Sequence, residues 1–245
     1  MIPVRDSVAV REPAFVTWAL IGVCVAVFLF QVSLPPRAAE AFVRLYGLVP
    51  ARYADPAWAL AAGLPPDDWL PVLTHMFLHG GWAHLLLNMW TLWLFGAAVE
   101  DRLGHLRYLA FYLACGLAAG LAHAVVNAHS AVPAVGASGA IAGVLGAYAR
   151  LFPRAWLILM VPVLFLPVFF PVPAMTYVAV WFALQLLQGT AAALLPGEGG
   201  VAWWAHIGGF LAGLLLVPLL RRPAPRRRPL YADEGVLGFG PHGQR

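Results

Sequence analysis

Apolar residues in this chain come in long blocks separated by short polar or glycine- and proline-rich breaks. They show neither the alternation of a half-buried strand nor the one-sided stripe of a surface helix. Six blocks, 14–34, 84–99, 106–126, 136–149, 174–195 and 201–220, approach the roughly 20 residues that cross a hydrocarbon core. The fourth is short, and the loop before it (127–135) is uncharged and carries Pro133. Such backbone is tolerated at membrane depth only where protein or a water-filled cavity surrounds it, so the fourth helix is predicted to begin below the bilayer surface. Residues 155–173 are equally apolar but are interrupted by Pro162, Pro167, Pro171 and Pro173. Proline breaks the helical ladder, which predicts a partly membrane-embedded connection here, with a seventh span as the alternative. The pattern therefore predicts an all-α, polytopic membrane bundle of six transmembrane helices with a recessed short fourth helix.

Composition agrees: 62% of the 245 residues are hydrophobic and 11% charged, and the mean hydropathy is +0.79. A soluble domain carries roughly 25% charged residues, so that class is excluded. All fifteen basic residues are arginine, and they gather near the C-terminus (Arg221, Arg222, Arg226, Arg227, Arg228). Without aromatics interleaved on a folded face, that cluster reads as an anchor beside anionic headgroups and excludes a nucleic-acid partner. Cys24 and Cys115 lie mid-block, as small buried side chains and not as a disulfide framework. The first block is too long for the apolar region of a cleaved signal peptide.

With six crossings, twelve arginines fall on one side and three (Arg37, Arg44, Arg52) on the other. The positive-inside rule then places both termini in the cytoplasm. The expected organisation is a cytoplasmic segment over 1–13, a membrane domain over 14–222 and a disordered cytoplasmic tail over 223–245. Inverted repeats and mid-membrane charges, which a transporter would want, are not evident.

This topology gathers the chemistry. Spans two, four and six all run from outside to inside; His84 opens the second, Ser138 the fourth, and His206 lies near the start of the sixth. Asn88 follows His84 by one helical turn on the same face. A serine hydroxyl is a poor nucleophile until a base takes its proton, and a neutral imidazole is suited to do so. Acyl transfer also needs donors for the oxyanion, which His84, Asn88 and the Ser138 N–H can supply. No acidic residue lies near the outer ends of these spans, so a Ser138–His206 dyad is expected and not a triad. Gly139-x-x-x-Gly143 and Gly209-x-x-x-Gly213 put small residues on one face of spans four and six and allow close approach. Each polar residue alone reads as packing or interfacial glue; the four together, at one depth, do not. His75 and His79 are expected to organise the first loop by hydrogen bonds, since no carboxylate or cysteine joins them as a metal site. Glu100 and Arg102 read as a capping or interhelical pair. Gln185 and Gln188 in span five either bond a neighbour or line the substrate path, and the sequence leaves both open.

The motifs resemble those of the rhomboid family of intramembrane serine proteases. They are His79-Gly80-Gly81-Trp82-Ala83-His84-Leu85-Leu86-Leu87-Asn88, the stretch from Gly96 to Gly104 with Glu100 and Arg102, Gly136-Ala137-Ser138-Gly139, and Ala205-His206-Ile207-Gly208-Gly209 with Gly213 beyond. The resemblance runs over about 69–220 in the same order and spacing. It implies Ser138 as nucleophile, His206 as general base, His84 and Asn88 as oxyanion donors, and Glu100 and Arg102 as structural. It further implies a multi-pass protein of the bacterial inner membrane that cleaves single-span membrane proteins near the external face, without metal or organic cofactor. Span five and the loop 196–204 would then gate and cap the site; a non-catalytic relative that only binds membrane helices is the alternative. Two positions depart from the pattern. Trp69 is followed by Leu70 where relatives carry arginine, and Ala142 stands where relatives place an aromatic residue against the histidine.

Overall fold

In lipid, backbone donors and acceptors must be satisfied within the segment, and the six apolar blocks do this as helices. The structure, a computed structural model, describes residues 2–194 and 202–222. In chain order these form β1 (Ile2–Asp6), α1 (Phe15–Ser33), α2 (Pro36–Tyr46), α3 (Ala51–Ala54), α4 (Pro56–Ala61) and α5 (Pro71–Thr74). A 3-10 turn (His75–Phe77) leads to α6 (Trp82–Leu103), α7 (His105–Val126), α8 (Ser138–Leu151), β2 (Trp156–Val163), β3 (Leu166–Pro173), α9 (Ala174–Leu194) and α10 (Trp203–Leu220). Helices α1, α6, α7 and α10 are long and apolar enough to cross a membrane. The chain is a polytopic helical membrane protein. The expected tail 223–245 and residues 196–201 of the capping loop lie outside the described residues.

Helix α8 is the centre of the bundle. Its 14 residues rise about 21 Å at 1.5 Å each, against a core about 30 Å thick, so it cannot span alone. Every residue from Gly139 to Ala149 is buried, enclosed by α6, α7, α9 and α10. The contact with α10 is backbone to backbone: a Cβ added at Gly209 would collide with the Gly139 carbonyl oxygen, and one at Gly213 with that of Gly143. Matched pairs four residues apart mean that the two helices run parallel, with their N-terminal ends together. At the other end of α6, the buried Glu100 carboxylate accepts from the Val16 and Thr17 N–H groups at 2.9 and 2.8 Å, from the Thr17 hydroxyl at 2.7 Å, and contacts His105 Nδ1 at 2.6 Å. It thereby caps α1, whose first turn has no acid of its own. Gly104, with φ of 81°, turns the chain from α6 into α7 in a conformation that favours glycine.

The expectation of an all-α protein needs correction. Residues 155–173 do not form a seventh span; the connection expected there is an antiparallel hairpin of β2 and β3, with β1 paired to the other edge of β2 in the order β1-β2-β3. The prolines that argued against a helix are compatible with an edge strand, where an N–H is not needed for pairing. Alternation failed as a signal because both faces of the hairpin are apolar. The N-terminal segment is tied to the bundle as well: Tyr148 donates to Asp6 at 2.9 Å and Trp90 to the Pro3 carbonyl at 2.7 Å.

The first loop has an anchor despite Leu70. Arg52 is fully buried and donates to the Pro65 carbonyl at 2.7 Å, the Leu45 carbonyl at 3.2 Å and Asp68 Oδ2 at 2.8 Å. Tyr53 beside it stacks on Trp69, ring centroids 4.8 Å apart. The loop is fixed in turn to the start of the site. The Gly136 N–H donates to the His75 carbonyl at 2.8 Å, and Leu48 and Ala134 exchange backbone hydrogen bonds at 3.0 and 2.8 Å.

Candidate active site

Ser138 is the first residue of α8 and His206 lies in the first turn of α10. Because the glycine seam holds the two helix starts together, His206 Nε2 reaches Ser138 Oγ at 2.8 Å. The first N–H groups of a helix have no acceptor within it, so the backbone at Ser138 presents free donors beside the hydroxyl.

His84 and Asn88 stand on α6 against the strained turn before Ser138. At Gly136 (φ 126°) a side-chain carbon would lie 2.8 Å from His84 Nε2 and 3.6 Å from Asn88 Nδ2. The Gly80 N–H donates to His84 Nδ1 at 3.3 Å. A neutral imidazole has one N–H, so an accepting Nδ1 leaves Nε2 as a donor. Asn88 Nδ2 is buried without a hydrogen-bond partner among the described residues. A buried donor left unpaired costs roughly 1–3 kcal/mol, and here it lies on the helix that faces the turn before the serine. All four residues expected from the sequence thus meet at one end of the bundle.

The other nitrogen of His206 is also engaged. His206 Nδ1 contacts Gln185 Oε1 on α9 at 2.6 Å, and Gln185 is buried. Trp181, one turn earlier on α9, lies 6.1 Å from the imidazole at 36°, and Trp203 meets it edge-on at 6.2 Å. Aromatic restraint absent at Ala142 therefore comes from α9 and α10. An apolar span has no periodicity that sets its rotation, so the part played by Gln185 stays open until α9 is seen against α10. Gln188 is not among the groups in contact with the ring.

Three further histidines lie outside this group. His75 Nδ1 bonds the Pro71 carbonyl at 3.1 Å, and His79 is fully buried, its ring 5.2 Å from that of His84. Both lie in the loop ahead of α6, where burial pushes each imidazole down to about 4. His123 on α7 contacts Asn127 at 3.3 Å.

Known proteins are similar to this chain in sequence. Residues 66–223 match the Rhomboid domain family. Rhomboid protein 1, mitochondrial, of Saccharomyces cerevisiae is 30% identical over 214 residues, covering 83% of this chain and 53% of that protein. Rhomboid protease GluP of Bacillus subtilis is 33% identical over 158 residues, covering 64% of this chain and 27% of that protein. Putative rhomboid protease YdcA of Bacillus subtilis is 33% identical over 115 residues, covering 45% of this chain and 57% of that protein. The chain spans about half the length, or less, of the first two.

Proposed function

The chain belongs to the rhomboid family, and on that premise we propose that it is an intramembrane serine endopeptidase working through a Ser138–His206 dyad. The observation that carries the reading is the 2.8 Å approach of His206 Nε2 to Ser138 Oγ. His206 takes the hydroxyl proton as Oγ bonds to the scissile carbonyl carbon. His84 Nε2–H, the unpartnered Asn88 amide and the Ser138 N–H then face the oxyanion. The tetrahedral adduct expels the amine, which receives its proton from His206 and leaves Ser138 acylated. Water attacks the ester as His206 takes its proton, the ester bond breaks, and the proton returns to Ser138. No metal or organic cofactor takes part in these steps.

The proposed substrates are single-span membrane proteins, cut near the external face after a frayed helix enters from the bilayer. Six crossings with both termini cytoplasmic accord with the described ends. Arg222 pairs with Glu12 at 2.9 Å, and its N–H meets the Arg102 carbonyl at 3.0 Å, so residues from both ends of the chain meet at one end of α6. The membrane domain is assigned to 14–222, with 1–13 and 223–245 on the cytoplasmic side of a bacterial inner membrane. Purified protein in liposomes is expected to cleave tagged single-span substrates and to take up a fluorophosphonate at Ser138. Ser138→Ala is expected to lose both while remaining folded. A wild-type chain that neither cleaves nor labels would instead be a helix-binding, non-catalytic relative.

A further inference from the structure

A neutral imidazole carries a single N–H, and its position decides whether His206 can act as a base. With the proton on Nε2, the ring would donate to Ser138 Oγ and have no lone pair to receive the hydroxyl proton. Resting on the proposed dyad, we infer that Gln185 is a positioning residue: its amide oxygen, 2.6 Å from Nδ1, holds the proton there and leaves Nε2 free to accept. A carboxylate at this place would do the same with a charge, which an apolar medium penalises; an amide selects the tautomer without one. Among the described residues, the charges that would act on the ring are those of His84 on α6 and His123 on α7, neither a carboxylate. Trp181 sits four residues before Gln185, on the same face of α9, and limits rotation of the ring. One face of α9 therefore sets both tautomer and orientation of a base carried by α10.

Gln185→Met keeps the length of the side chain and removes the acceptor, while Gln185→Glu restores an oxygen. Both are compared with wild type in liposomes, as full chains. In Gln185→Met, kcat is expected to fall about ten- to a hundred-fold, the scale seen when the partner that orients a metal-bound histidine is lost, with little change in KM. Gln185→Glu is expected to recover most of it. Nitrogen-15 NMR of histidine-labelled protein, with His206 assigned by substitution, reads the tautomer directly: Nδ1–H in wild type and a mixture in Gln185→Met. Wild-type kcat in Gln185→Met, or reduced kcat with the tautomer unchanged, overturns the inference. If Gln185→Met does not fold, Gln185→Asn, whose amide falls one methylene short, makes the same comparison. Should wild type itself fail to cleave, the proteolytic reading falls, whereas the NMR comparison still decides the part played by Gln185.

The β2–β3 hairpin carries a separate inference. β1 pairs with β2 only as far as Met160, so the far half of the hairpin projects from the bundle. Its tip is apolar and bare: Leu164, Phe165 and Leu166 are 91%, 99% and 73% exposed, and 155–173 holds no charge. A tight turn in water normally takes Asn-Gly, not Leu-Phe. The free edge is depleted of donors as well. β3 pairs Pro167 with Pro162, Pro171 with Ile158 and Pro173 with Trp156. Proline cannot donate, so these are the positions whose N–H would point outward, and in that row only Phe169 keeps one. We propose that the hairpin lies in the membrane interface with its tip among the acyl chains. The outward carbonyls still need donors, which holds the rest of β3 at headgroup depth. Continuity supports this occupant: β3 passes into α9, whose Val180, Leu184 and Leu187 are exposed apolar residues. Edge-to-edge pairing with a second copy is what a proline-rich edge prevents.

The test places a nitroxide at Phe165→Cys in liposomes, with the buried Cys24 and Cys115 changed to alanine. The label is expected to collide more with oxygen than with a water-soluble nickel chelate, at a depth below the phosphates. Nickel access equal to that of a label replacing the exposed Glu40, or dipolar broadening from a second copy, overturns the proposal.

Discussion

Replacing Gly209 with alanine perturbs the dyad through the seam that brings it together. Side-chain carbons essentially never approach other heavy atoms closer than 3.0 Å, and a methyl at Gly209 would fall well inside that limit against the Gly139 carbonyl oxygen. Neither partner is a flexible side chain, so relief requires the backbones of α8 and α10 to part by about 1 Å at that level. Gly139 adjoins Ser138, and Gly209 follows His206 by less than one turn. The same displacement therefore carries the Ser138–His206 separation from 2.8 Å to about 3.8 Å, out of proton-transfer reach. A misplacement of that size costs about 100-fold in rate. The assay is kcat on a tagged single-span substrate together with the rate of fluorophosphonate labelling, both normalised to folded protein from size-exclusion chromatography. Gly22→Ala on α1 is the control, since a methyl there meets nothing within 4 Å. If Gly209→Ala turns over like wild type at full folded yield, the seam does not set the dyad distance and the reasoning is wrong.

Asn88→Ala removes a proposed oxyanion donor and is expected to lower kcat about 10²–10³-fold with little loss of thermal stability, because the deleted amide has no protein partner in the resting state. Equal kcat would remove Asn88 from the mechanism. Arg52→Met leaves two carbonyls and Asp68 without their donor and is expected to cost roughly 2–4 kcal/mol, read as a lowered Tm in detergent. Arg52→Lys, lacking the guanidinium fork, is expected to recover only part. His75 and His79 remain neutral in the fold to about pH 4 but protonate near 6.5 when unfolded. Their contribution is therefore fully present above about 6.5 and is lost as pH falls toward 4, on the order of 3 kcal/mol each. A Tm that does not fall across that window, or falls equally in His79→Phe, counts against the assignment.

Much of the bundle was legible because lipid imposes one requirement, a self-satisfied backbone with an apolar exterior, and block length reports it directly. The short block at 136–149 with its uncharged approach announced the buried α8. That Ser138, His206, His84 and Asn88 gather at one end was legible because the starts of α6, α8 and α10 were expected on one side. What escaped depends on rotation and on contacts between distant segments. Whether Gln185 faces His206 or lipid turns on the angle of α9 about its own axis, which an apolar helix does not reveal. Arg52 read as one of three external arginines because its acceptors, Leu45, Pro65 and Asp68, surround it only once the loop folds. The hairpin escaped because strand periodicity is invisible when every position is apolar, and its prolines were compatible with several kinds of non-helical chain.

Glu100 has a consequence for how variants of this protein will fail. One carboxylate fastens the beginning of α1 and reaches His105 at the beginning of α7 from the far end of the helix whose opposite end bears His84 and Asn88. Damage there would loosen the joinery between three rods while leaving every reacting group intact. Its signature would be scarce, short-lived protein whose surviving molecules still work at full speed.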